Sequence, residues 1–218
     1  MPDIISAHLS NKMKVPVLID DMHMNWNSID IQKVEVSNLP NSMLSKAFSA
    51  EQILIEAPIT AYLSRDIVLE RVELDDVYVG LEFESKSSSR GNWTSILGNM
   101  QTSSESSKKT SRKTVLIKKL ILTNIDVSLA YRQNAKSIKR LSPIKRLEFT
   151  NVSSEQGIPY EKISQIIFEQ MLKSIFSLEG LQNMLDSILQ IPTAPIDKIL
   201  QPFKGLINEN MLDSEESF

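Results

Sequence analysis

A nine-residue pattern of apolar and polar positions recurs four times along the chain. The copies are Ile31-Gln-Lys-Val-Glu-Val-Ser-Asn-Leu39, Leu69-Glu-Arg-Val-Glu-Leu-Asp-Asp-Val77, Ile117-Lys-Lys-Leu-Ile-Leu-Thr-Asn-Ile125 and Ile144-Lys-Arg-Leu-Glu-Phe-Thr-Asn-Val152. Their shared frame is apolar, any, basic, apolar, any, apolar, small or acidic, Asn or Asp, apolar. Alternation of this kind is the signature of a strand with one buried face. The alternation changes phase inside the unit: Ile29 and Ile31 give way to Val34 and Val36, and Ile67 and Leu69 to Val72 and Leu74, then to Val77, Val79, Leu81 and Phe83. Side chains on a strand alternate strictly, so each flip requires a bulge or a turn. A long bulged strand and a tight strand pair both satisfy the record. A basic residue marks the first flip and Asn or Asp the second, which favours the long bulged strand. Four matches in one frame exceed what ordinary amphipathic alternation supplies and argue for a structural repeat.

Between these units the pattern predicts further elements. Residues 1–14 show no clear period and read as a loose start. Val15 to Ile19 reads as a short strand, with Pro16 favouring an edge or a strand start. Ser45 to Ser64 reads as a strand pair, or one strand bent at Ala57-Pro58. Residues 85–112 form a Ser-rich insertion expected to be mobile. It holds a short capped helix at 92–99 that turns Trp93, Ile96 and Leu97 inward. After Gly157 the period changes from 2 to 3.6, predicting amphipathic helices at 163–176, 181–191 and 196–207. Strands first and helices last define an α+β fold: a curved, largely antiparallel sheet of repeated bulged strands packed against C-terminal amphipathic helices. The sheet is expected over 15–84 and 113–152 and the helical part over 158–208, all in a single domain of 218 residues.

Composition narrows the chemistry. The chain has no Cys and two His, which excludes disulfides and thiol catalysis and argues against zinc. A net charge of −3 does not point to nucleic acid. The six glycines are scattered and form no phosphate-binding or nucleophile-elbow motif. The adjacent acids Asp20-Asp21 and Asp75-Asp76 point to opposite faces of a strand and make no carboxylate dyad. No catalytic residues, cofactor or metal are expected. No apolar run approaches the ~18 residues of a membrane-spanning helix, and no signal-peptide core is visible. The segment 101–119 is basic. Its Lys108, Lys109, Arg112 and Lys113 are candidate contacts to anionic headgroups, against the simpler reading of a solvated loop.

The order of these signals resembles the N-terminal portion of the AsmA-like family of bacterial envelope proteins. The matching stretches are Ile29 to Leu39, Ala47-Phe48 through Leu63, Asp66 to Leu74 leading into Val77 to Glu82, Asn92-Trp93 followed by Ile96-Leu97, and Lys113 to Val127. The chain departs from the family at Asn38-Leu-Pro-Asn41, which lacks the family's turn glycine, and in showing no N-terminal transmembrane anchor. The resemblance implies a periplasmic location, with an inner-membrane anchor in the full-length protein, and a part in outer-membrane biogenesis or phospholipid traffic. It implies no catalytic residues.

Two expectations follow. In the first, a non-enzymatic envelope protein binds phospholipid or another acyl lipid along the apolar sheet face, lined by Ile31, Val34, Val36, Leu69, Val72, Leu74, Ile117, Leu120, Leu122 and Phe149. In the second, helices cap the sheet fully and the domain is a structural or protein-interaction module that recruits an envelope partner and holds no lipid.

Overall fold

In the computed structural model, which describes residues 2–85, 88, 90–105, 114–134, 138–152, 158–159 and 163–178, the second and third copies of the repeat lie side by side. Strands β4 (Asp66–Leu69) and β5 (Arg71–Phe83) together run parallel to β6 (Thr114–Tyr131). Asp66 pairs with Thr114, Val72 with Leu120 and Phe83 with Tyr131, so a constant offset of 48 residues holds over the whole length. Ile117 of the third copy therefore faces Leu69 of the second. β4 and β5 are two parts of one long strand interrupted at Glu70.

The rest of the sheet is antiparallel. β1 (Val17–Met24), β2 (Ser28–Ser37) and β3 (Lys46–Glu56) follow one another to β5. The other edge of β6 carries β7 (Lys139–Arg140), β8 (Ile144–Val152) and β9 (Ile158–Pro159). Only the β4/β5–β6 seam is parallel among the described strands, because α2 (Asn92–Glu105) carries the chain back before β6 begins. The fold is α+β, with α3 (Ile163–Leu178) following the strands, as the pattern predicts.

The bulges fall in line. Asp20, Lys33, Glu51, Asp76 and Asn124 occupy one row across β1, β2, β3, β5 and β6, each set between flanking pairs such as Val34–Ala50 and Gln32–Gln52. Lys33, Asp76 and Asn124 have positive φ, at 49°, 47° and 52°. On one side of this row Val17, Val36, Phe48, Val79 and Val127 are buried on the helix-covered face. On the other side the same face carries Met22, Ile31, Ile53, Leu74 and Leu122, an odd number of residues away on each strand. Each strand gives up one alternation at the same level, which is a crease across the sheet. A second, shorter row runs through Glu70, Lys118 and Asn151, the last with φ 52°.

The repeat frame is thus explained in parts. Its Asn/Asp position takes the left-handed conformation in copies two to four, which short polar side chains tolerate best. Copy one departs from the frame. There the left-handed residue is Lys33, at the basic position, while Asn38 ends β2 by bonding the Leu44 carbonyl (3.0 Å) and the Leu39 amide (2.9 Å). The basic position points away from the helix-covered face in every copy and meets an acid: Lys33 with Asp20 (3.6 Å), Arg71 with Glu73, Lys119 with Glu148 (2.7 Å) and Arg146 with Glu148 (2.8 Å). Exposed pairs of this kind contribute little to stability, because solvent screens them. They keep that face soluble and in register.

Three local expectations need correction. Residues 2–13 form a helix, α1 (Pro2–Met13), where the pattern predicts a loose start. Ile5, Leu9 and Met13, spaced by four, turn one stripe toward the sheet, too sparse a set to show as a period. Of the two readings of 45–64 the strand pair fails: there is one strand, β3, and at Ala57-Pro58 the chain leaves it for a 3₁₀ turn at Ile59–Leu63 instead of continuing as a bent strand. The helix predicted over 92–99 extends to Glu105, into the Ser/Thr-rich stretch. Buried Trp93, Ile96, Leu97 and Met100 anchor it, and tertiary packing overrides the weak propensity of the polar residues beyond. The helices predicted over 181–191 and 196–207 lie outside the described residues.

α2 is pinned to β5 where the backbone comes closest. Asn92 Nδ2 and Trp93 Nε1 both donate to the Gly80 carbonyl, at 2.8 and 3.0 Å. A side chain at Gly80 would meet the Lys46 carbonyl at 2.3 Å, so only glycine fits there. Phe168 of α3 then packs edge-on to Phe48 and against Trp93, both at 5.1 Å between centroids, and Phe176 meets Phe83 at 6.1 Å. These aromatics fill the half of the face beyond the first crease.

Candidate ligand-binding site

Across the crease, and chiefly on its other side, the face is lined by side chains of medium size, and a cavity of about 530 Å³ remains. The sheet contributes its floor: Val17, Met22 and Met24 from β1, Ile29, Ile31, Val34 and Val36 from β2, Phe48, Ile53 and Ile55 from β3, Ile67 and Leu69 from β4, Val72 and Leu74 from β5, and Val115 and Ile117 from β6. Ile5, Leu9 and Met13 of α1 form one wall, and Ile167, Phe168 and Met171 of α3 another. Tyr62, in the 3₁₀ turn, is the one lining residue with a hydroxyl; every other lining side chain is aliphatic, Met or Phe.

The size decides what such a space can be. Packed interiors leave few voids larger than a water molecule, and ligand pockets run to roughly 300–1,000 Å³. A liquid allots about 30 Å³ to a water-sized group, so 530 Å³ corresponds to on the order of 18 methylene-sized groups. Water finds almost no partner on these walls, and an apolar chain gives up no hydrogen bond by entering.

The sequence-based site is brought together in large part. Ile31, Val34, Val36, Leu69, Val72, Leu74 and Ile117 line the cavity. Leu120, Leu122 and Phe149 do not. Leu120 and Leu122 are fully buried core residues, and Phe149, on β8, packs half-buried against that core. Alternation places all ten residues on one face but cannot say how far along the face the covering elements reach. Lys108, Lys109, Arg112 and Lys113 lie outside the described residues. Sequence reasoning missed the α1 and α3 walls, Tyr62, and on the sheet Val17, Met22, Met24, Ile29, Phe48, Ile53, Ile55, Ile67 and Val115. The alternation 22, 24 and 53, 55 was available as a signal, since it continues the flipped phase of the neighbouring strands.

The polar residues offer no competing centre. Buried Glu82 is occupied in holding the chain: it accepts from the Met43 and Leu44 amides (2.8 and 3.2 Å) and from Arg132 Nε (2.8 Å). Hydrogen bonds from Lys119 and Arg146 draw the Glu148 carboxyl below the usual glutamate range, on the exposed outer face. Burial pushes the Tyr131 hydroxyl up. Among the described residues no group of three or more His, Asp or Glu is placed to hold a metal. Likewise no helix among them is long and apolar enough to cross a membrane. No protein-family model, curated protein or solved structure matches the chain.

Proposed function

We propose that this domain is a non-enzymatic lipid-binding module of the cell envelope, which takes up an acyl chain in the cavity between the sheet, α1 and α3. The observation that supports it is the size of the cavity joined to its composition: about 530 Å³, with a single hydroxyl among its lining side chains. Each methylene moved there from water contributes about 0.8 kcal/mol, so a chain that fills the cavity, on the order of 18 carbons, would offset the cost of ordering it. The resemblance to AsmA-like proteins supports the same reading and a periplasmic setting, with phospholipid traffic or outer-membrane biogenesis as the process served.

The test is organic extraction of the purified protein followed by mass spectrometry, with titration of a fluorescent fatty-acid probe in parallel. Co-purified phospholipid or fatty acid, and saturable probe binding near one per chain, are expected. Protein that carries no lipid and leaves the probe free would end the proposal.

The alternative is a structural or protein-interaction module without a ligand. The observation in its favour is the far half of the same face, which Trp93, Phe83, Phe168 and Phe176 seal completely. If that module is the correct one, the probe finds no site and a partner protein is recruited at an edge.

A further inference from the structure

The cavity reaches the surface at one end of the sheet. Met24 lines it and is still 47% exposed. Two loop tips meet at that end. The β1–β2 turn carries Trp26, 81% exposed, and the 3₁₀ turn after β3 carries Leu63, 83% exposed, and Ile59, 36% exposed. Backbone bonds tie the tips together: the Ile59 amide donates to the Trp26 carbonyl at 2.8 Å, and the Ala57 amide to the Asn27 carbonyl at 3.0 Å. Half of the large hydrophobic residues that the described surface exposes, four of eight, are thus gathered in one place.

The charge pattern separates this place from the rest of the molecule. Residues 24–29 and 57–64 contain no Asp, Glu, Lys or Arg. In a chain that is 23% charged, about three would be expected in fourteen residues. A tip without charge enters a headgroup layer without stripping water from an ion. Tryptophan, with an apolar ring and one N–H donor, favours that boundary. A protein partner is the less fitting occupant, since the fourteen tip residues carry no charge of their own to fix the register of a protein interface, and Glu56, Arg65 and Asp66 only flank them.

We infer that this end docks on the surface of a lipid bilayer, with Trp26 and Leu63 inserted at the headgroup level and the mouth at Met24 facing the acyl chains. The inference rests on the lipid-binding reading for its purpose, and the docking itself is separable from it. The apolar path then runs without interruption from the bilayer past Met24 and Ile29 to the cavity floor. Because the tips are uncharged, docking is insensitive to salt and to the anionic content of the membrane.

The experiment is flotation of the full chain with vesicles of phosphatidylcholine alone and of phosphatidylcholine mixed with phosphatidylglycerol, at low and high salt. Trp fluorescence and acrylamide quenching are followed in the same samples. The wild type should float with both vesicles alike, and its exposed Trp should shift to the blue and lose access to quencher. A Trp26→Ser/Leu63→Ser variant should lose vesicle partitioning by about tenfold or more. Its urea midpoint and its binding of a soluble fatty-acid probe should stay unchanged, because both side chains lie outside the fold and the cavity. Wild type that does not float, a variant that floats as well as wild type, flotation that requires phosphatidylglycerol, or a dimer that shields Trp26 and dissolves in the variant would each overturn the docking. Probe binding absent from both proteins while wild-type flotation persists would sink the cavity reading and leave the docking standing.

Discussion

Filling the cavity should weaken ligand binding without weakening the fold. Ile31 and Ile53 face the cavity from adjacent strands, paired directly across β2 and β3, and both are only partly buried. Replacing either by Trp adds on the order of two methylene-sized groups of about 30 Å³ each. The cavity then shrinks from room for roughly 18 such groups to roughly 16, or to about 14 in the double variant. At about 0.8 kcal/mol per methylene displaced, binding weakens by about 1.6 kcal/mol for one substitution and about 3 kcal/mol for two, or about 15-fold and 200-fold. Overpacking ordinarily costs about 1–3 kcal/mol of stability. Here the ring has empty space to enter, so the urea midpoint should hold or rise. The assay is titration of a fluorescent fatty-acid probe, paired with equilibrium unfolding of the same samples. Unchanged probe affinity in Ile31→Trp/Ile53→Trp would mean the ligand lies elsewhere. A drop in stability of 2 kcal/mol or more would mean the space is not free.

Three further outcomes test the fold beneath the site. Asn124→Val should cost about 2 kcal/mol in urea unfolding, because a branched side chain is strained at φ 52° and the exposed bond to Asp75 (3.1 Å) is lost; Asn124→Gly, which loses that bond without the strain, should cost about 1 kcal/mol or less, and equal stability of both would mean that position 124 is not strained. Glu82→Ala should destabilise by about 2–4 kcal/mol and Glu82→Gln by about half that, since the first leaves the Met43 and Leu44 amides without their acceptor. The Glu148 carboxyl should titrate below an ordinary glutamate in a carbon-detected NMR series, and Lys119→Ala should raise it more than Arg146→Ala. The lowered value means its contribution is present above the unfolded-state pKa and fades as pH falls through the folded one, a small effect for an exposed group.

The repeat shows how the fold can be read in one dimension and miss its sense in three. The phase flips at Lys33, Asp76 and Asn124 are visible as breaks in alternation, because a strand cannot change face without a bulge. Nothing in one strand states that its bulge stands beside its neighbour's. That follows from register, which pairs Asp76 beside Asn124 through the parallel offset and Lys33 beside Glu51 through an antiparallel one. Register is decided by the burial of whole faces at once. α1 escaped for a related reason. Three apolar residues spaced by four make too narrow a stripe to stand out, and they matter because β1 and β2 turn Met22 and Ile31 toward them.

By itself the sequence determined the strand character, the places where the alternation breaks and the amphipathic helix that follows the strands. These depend on a residue and its near neighbours, where periodicity and conformational preference act directly. Tertiary structure alone decided that the breaks form one crease, that aromatics from α2 and α3 close the face beyond it, and that Leu120, Leu122 and Phe149 fall outside a cavity that Ile31, Leu74 and Ile117 line. The physical reason is that an empty volume belongs to no residue. It is the remainder after distant elements have packed, and only their mutual placement fixes its size and its mouth.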